Sequence, residues 1–166
     1  DHNYFEHVLS HELTHAFQGL QWGDGSISLF AINDIDIPLW MIEGMAEYNS
    51  ILLDTEAEMM IADGILQGDL PDLIELSDLY SLDYSDYFFI YKEGQMFYHY
   101  VVETYGKSVF SELNESITSS RSYSVALEEV FGKDLAELNE EFFDYLRKRY
   151  MPAITDLSSP AVVGER

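Results

Sequence analysis

The stretch His11-Glu12-Leu13-Thr14-His15 places three chemically competent side chains within one short segment. If residues 4–21 are helical, His11 and His15 lie one turn apart on the same face, so both can direct an imidazole nitrogen at one metal ion. Zinc in a catalytic site takes a third protein ligand and leaves its fourth position to water. Glu12 is placed to accept the proton of that water. The pattern therefore indicates metal-assisted hydrolysis, most often of a peptide bond.

A helix over residues 4–21 is predicted by apolar residues at helical spacing. His7 lies one turn before His11, but a straight helix separates the first and last of three such histidines by about 12 Å along its axis. We therefore expect His7 to support the ligands or to face solvent rather than to join them. The alternative is an amphipathic core helix with ordinary histidines. The apolar residues are Phe5, Val8, Leu9, Leu13, Ala16, Phe17 and Leu20.

Composition and charge limit the classes of function. The chain has 166 residues, of which 47% are hydrophobic, so it is long enough to bury the core of one domain. Its 31 Asp and Glu against eight Lys and Arg give a net charge of −23, which would repel nucleic acid. There is no cysteine, which excludes disulfides and thiolate metal sites. No stretch approaches the ~18 consecutive apolar residues of a membrane span.

A second pair of candidate site residues follows Pro38, a residue that suits the start of a new helix. Glu43 and Glu47 are four residues apart and share a helix face, while Trp40 and Met45 make their surroundings apolar. A carboxylate in that setting is costly unless it is paired or bound to a metal. We predict that Glu43 is the third zinc ligand and that Glu47 holds the other ring nitrogen of a ligand histidine. The alternative is a pair of exposed acids on a very acidic protein.

These two stretches together resemble the gluzincin zinc peptidases, which include thermolysin-like and aminopeptidase-N-like enzymes. The resemblance implies that His11, His15 and Glu43 bind Zn²⁺, that Glu12 is the general base and that Glu47 supports a histidine. Here 27 residues separate His15 from Glu43, a longer gap than in aminopeptidase-N-like enzymes. A loop can absorb the extra residues, so the ligand assignment stands while membership of that particular family does not.

A third stretch, Tyr91-Lys92-Glu93-Gly94, is similar to the Tyr-x-x-Gly segment of aminopeptidase-N-like enzymes. There the tyrosine hydroxyl steadies the oxyanion of the tetrahedral intermediate, and a neutral phenol suits that task because it can donate a hydrogen bond. Tyr91 is our candidate for this role among twelve tyrosines. His99, between two tyrosines, is expected to be a core histidine with its hydrogen bonds satisfied.

The expected fold is mostly α-helical: a zincin-like helical catalytic subdomain over residues 1–152, followed by a tail or linker over 153–166. Residues 26–33 are a candidate for a short strand or hairpin. Asp134 and Glu137 form a capping pair at the start of the last helix. Further helices are predicted over 55–67, 71–79, 87–105, 107–117, 123–131 and from Asp134 to Tyr150.

One departure concerns the small β-sheet that gluzincins carry before the active-site helix. Only ten residues precede His11, so we expect the sheet to lie upstream in a longer parent protein with further domains, unless residues 26–33 supply an abbreviated edge. The isolated piece is expected to hold zinc but to cleave its peptide or protein substrate poorly. The resemblance implies a secreted or cell-surface bacterial location.

Two other functions remain open from the sequence alone. One is a non-catalytic binding or regulatory module that keeps the zinc fold within a larger surface protein. The other is a helical interaction domain without a metal. Zinc content separates the metal-free domain from the others, and the effect of Glu12→Gln on hydrolysis separates an enzyme from a non-catalytic zinc module.

Overall fold

Seven α-helices make up most of the described part of the chain. The computed structural model describes residues 2–23, 36–80 and 82–152. This mostly α-helical architecture confirms the predicted fold class, whereas the candidate strand at 26–33 lies outside the described residues. The helices are α1 His2–Trp22, α2 Leu39–Ile51, α3 Thr55–Gln67, α4 Phe89–Tyr105, α5 Ser108–Ser120, α6 Tyr123–Phe131 and α7 Leu135–Tyr150.

Helices α2 and α4 form the centre of the fold. Helix α4 packs against α2, α3, α5 and α7, while α2 lies between α4 and α1. Every residue of α2 from Trp40 to Glu47 is buried, as expected for a helix that is apolar around most of its circumference. This burial places Glu43 and Glu47 inside the protein rather than on its acidic surface.

The crossing of α2 and α4 depends on two glycines. A Cβ atom on Gly44 would lie 2.7 Å from the carbonyl oxygen of Gly94, and a Cβ atom on Gly94 would lie 2.9 Å from Gly44 Cα. Both separations are shorter than atoms in contact tolerate, so any larger residue at either position would force the two backbones apart. The close approach fixes how deeply the acids of α2 sit relative to the residues of α4.

Local signals account for several helix boundaries. The side chain of Asp134 accepts from Glu137 N at 2.9 Å and that of Glu137 accepts from Asp134 N at 3.1 Å, which is the predicted capping box. The helix predicted over 71–79 is shorter than expected, because only Glu75–Ser77 forms a 3-10 turn. There Asp72 Oδ1 accepts from two consecutive backbone N–H groups, which favours a local turn over a continued helix.

The apolar stripe that identifies α1 as a helix is not the face that packs. Phe5 and Phe17 are each 65% exposed, and the neighbouring leucines of α1 are about half exposed. The opposite face, which carries the histidines, lies against α2. None of the helices in the described ranges, α1 included, is long and apolar enough to cross a membrane.

Candidate metal centre

The face of α1 that meets α2 carries the two histidines of the predicted metal site. Gln18, one turn after His15, donates from its side-chain amide to the carbonyl oxygen of Ile42 at 2.9 Å, which anchors α1 to α2 just before Glu43. His15 is buried, and His11 is half-buried. The structure therefore brings together the ligands that the sequence predicts, although they come from two helices separated by the 24–35 segment.

Three ligand atoms of these residues form a small triangle. His11 Nε2 lies 3.0 Å from His15 Nε2 and 3.3 Å from Glu43 Oε2, and His15 Nε2 lies 3.2 Å from the same Glu43 oxygen. A tetrahedral zinc ion with bonds of about 2.0–2.2 Å separates its ligand atoms by roughly 3.3–3.6 Å. The triangle thus has nearly the size that one zinc ion requires, with its three corners supplied by the atoms that zinc prefers.

The second nitrogen of each imidazole has a partner that leaves Nε2 for the metal. His15 Nδ1 lies 2.8 Å from Gln18 Oε1, and this oxygen must accept because the Gln18 amide nitrogen already donates to Ile42. His11 Nδ1 lies 2.9 Å from Glu47 Oε1, a close contact whose angle is too oblique for a well-formed hydrogen bond. The His15 contact matches the outer hydrogen bonds that orient metal-binding histidines, and Glu47 lies close to the corresponding nitrogen of His11.

Charge pairing shifts the pKa values of the cluster in the direction expected for a site that takes a cation. Contacts with Glu43 and then Glu47 raise the pKa of His11 to about 9. Burial would lower the pKa of His15, but Glu43 and Gln18 outweigh it and the pKa rises. Burial likewise opposes the ionised form of Glu43, yet the two histidines lower its pKa to about 2. At neutral pH the Glu43 carboxylate is therefore ionised.

The two predicted catalytic residues, Glu12 and Tyr91, differ in their exposure to solvent. Glu12 is exposed, next to His11 on the outer side of α1. Tyr91 is half-buried on α4, and its pKa is raised to about 12 by burial and by the charges of Glu43, Tyr87 and Glu47. His7 is half-buried, and its Nε2 lies 3.5 Å from Glu47 Oε1.

Two residues of the site were not singled out from the sequence. Gln18 follows His15 by three residues, a spacing that places it on the same helix face, but glutamine at that spacing is too common to be informative. Lys92 is buried and its Nζ lies 2.8 Å from Glu47 Oε2 and 2.9 Å from Asp54 Oδ2. These partners, and Glu56 with its Oε2 3.6 Å from the same nitrogen, are remote in sequence, so no local pattern could have identified the contacts.

Comparison with known proteins agrees with this arrangement at the level of the superfamily. The model of the Peptidase MA superfamily matches residues 4–148, a range that includes all the residues of the cluster. The chain belongs to the Peptidase MA superfamily. No curated protein and no solved structure matches it.

Proposed function

We propose that this domain is a zinc-dependent metallopeptidase of the gluzincin type. The observation that carries the proposal is the triangle of His11 Nε2, His15 Nε2 and Glu43 Oε2, with edges of 3.0–3.3 Å. Membership of a superfamily of peptidases supports the reaction class. The three residues would hold zinc, which when bound supplies a Lewis acid that polarises the scissile carbonyl and makes a water molecule more acidic.

Proton transfer falls to Glu12 in this proposal. A carboxylate exposed beside the ligand His11 is free to accept a proton from the attacking water and to return it to the leaving amine. Tyr91 would donate a hydrogen bond to the carbonyl oxygen as that oxygen gains negative charge. Its pKa of about 12 keeps the hydroxyl protonated at neutral pH, which this role requires.

The direct test is metal removal from the protein. We expect one zinc ion per chain by elemental analysis and a peptidase activity that a zinc chelator abolishes and added zinc restores. Replacing His15 by alanine should remove the ion, because it eliminates one of three protein ligands. A protein that cleaves peptides equally well after complete removal of zinc would contradict the proposal.

Zinc affinity should depend on pH through the proton on His11. Because the pKa of His11 is raised to about 9, the ring is protonated at neutral pH and the ion must displace that proton. We expect affinity to rise by about tenfold per pH unit for each proton displaced, and to level off above about pH 9. Competition with a chromophoric chelator at several pH values measures this slope. After correction for the titration of the chelator, an affinity that does not change with pH would show that His11 gives up no proton.

A further inference from the structure

A second group of potential ligand atoms adjoins the first and shares His11. The Nε2 atom of His7 and the Nδ1 atom of His11 lie 3.5 Å and 2.9 Å from Glu47 Oε1. Within this group, as within the group of His11, His15 and Glu43, the ligand atoms lie within 4.8 Å of one another. The His11 ring therefore borders two places where a cation could bind, one at each nitrogen. Ligand geometry alone does not determine which of these two places binds the cation.

The local distribution of charge distinguishes the two groups. Glu47 already carries a cationic partner, because Lys92 Nζ lies 2.8 Å from its Oε2 atom. A divalent cation at His7, His11 and Glu47 would be forced close to that ammonium group inside the protein, where screening is weak. Glu43 has no lysine or arginine contact among the described ion pairs, and its partners are the two histidines. The charges therefore favour the group that contains Glu43.

Lys92 is held in place by more than its contact with Glu47. It is only 6% exposed, and its Nζ also lies 2.9 Å from Asp54 Oδ2 and 3.6 Å from Glu56 Oε2. Asp54 is the N-cap of α3, and its other oxygen accepts from Ala57 N at 2.6 Å. The ammonium group thus joins α4 to α2 and to the start of α3. Burial would lower the pKa of Lys92, but Glu47 and Asp54 outweigh it and raise the pKa, so the charge is retained.

We propose that Lys92 is a positioning residue that assigns the metal to His11, His15 and Glu43. By neutralising Glu47, it keeps this carboxylate as the partner of His11 Nδ1 and prevents it from becoming a ligand with His7. The proposal rests on the zinc site proposed above. A cation in the second group would bind His11 through Nδ1 and would therefore have to displace any proton on that atom.

The test compares metal binding in Lys92→Met with that in the wild type and in Lys133→Met. Lys133 is paired with Glu141 and Tyr105, away from the histidines, and serves as the matched control. We expect one zinc ion per chain in the wild type and in Lys133→Met. In Lys92→Met we expect either a second ion or an ion that survives His15→Ala. The visible spectrum of the Co²⁺-loaded proteins should differ in the same way, because it reports the ligands of the ion rather than the stability of the fold.

Four further variants make the result decisive. His7→Ala in the Lys92→Met background should abolish the additional binding, whereas His7→Ala alone should leave wild-type zinc content unchanged. Lys92→Arg keeps the charge and should behave as the wild type. If Lys92→Met does not fold, Lys92→Gln decides the question, because it retains a hydrogen-bond donor and removes only the charge.

The inference is overturned if Lys92→Met, or Lys92→Gln in its place, binds a single ion that His15→Ala removes as it does in the wild type. It is also overturned if His7→Ala alone lowers the zinc content of the wild type. A wild-type protein that binds no zinc would instead contradict the proposed function. The two failures are therefore distinguishable.

Discussion

Replacing Glu12 by glutamine is expected to leave zinc bound and to lower the rate of peptide hydrolysis by about 10²–10⁴-fold. Glutamine has nearly the same shape, but it cannot accept the proton of the attacking water. Glu12 is exposed and is not one of the three atoms of the metal triangle, so its loss should not disturb the ion. The measurement is kcat/KM on a peptide substrate with zinc content determined on the same samples, in the full-length protein.

The matched control for this change is Glu6→Gln, which alters an exposed glutamate on the same helix. It should retain both zinc and activity. Equal activity of Glu12→Gln and the wild type would show that the proposed mechanism is wrong. If the wild type binds zinc but cleaves nothing, the non-catalytic zinc module becomes the better description of the domain.

Replacing Glu43 by glutamine is expected to weaken zinc binding by more than about 100-fold. Changes to the outer partners of zinc ligands typically cost 10–100-fold in affinity, and removal of a charged ligand itself should exceed that range. The neutral amide also leaves the imidazoles of His11 and His15 without the carboxylate that pairs with them. Competition titration with a zinc chelator gives the affinity of the variant and of the wild type.

The control for Glu43→Gln is Glu93→Gln, which makes the same chemical change at another buried glutamate. Glu93 is fully buried on α4, has no hydrogen-bond partner for either oxygen, and has a pKa raised well above its usual value by burial and by the charges of Asp72 and Glu75. It does not belong to the triangle of His11, His15 and Glu43, so its replacement should keep the zinc affinity. Unchanged affinity in Glu43→Gln would remove Glu43 from the ligand set.

Much of the helical framework was predictable because its boundaries are set by local chemistry. The bounds of α3 and α6 agree with the sequence prediction, and Gly68 and Gly132 follow these helices in the left-handed conformation that glycine adopts at little cost. The capping box at Asp134 was likewise predictable from two residues. Capping and helix-ending signals depend on residues that are close together in sequence, so they can be identified from a single sequence.

The orientation of α1 was not predictable from its periodicity. The helix has an apolar stripe that includes Phe5 and Phe17, and a reading based on hydrophobic burial would place that stripe in the core. The structure instead packs the histidine face against α2, where contacts with Glu43, Glu47 and Ile42 hold it. Periodicity shows that a helix has two faces, but tertiary partners decide which face is covered.

The candidate ligands were accessible from the sequence because their chemistry is unusual, whereas their supports were not. A histidine pair at helical spacing and an acid in an apolar helix both stand out against average composition. Lys92 and Gln18 are ordinary residues whose importance depends on atoms far along the chain. The contact of Lys92 with Glu47 spans 45 residues, and that of Gln18 with Ile42 spans 24.

The approach of Gly44 to Gly94 means that the candidate metal ligands depend on two positions with no reactive atom. A methyl group at either glycine would widen the spacing of α2 and α4, and the carboxylates on α2 would shift away from the imidazoles. Loss of function in this domain can therefore arise from substitutions that look harmless on chemical grounds. A mutational scan for inactivating changes should recover these glycines alongside the histidines, even though neither touches the ion.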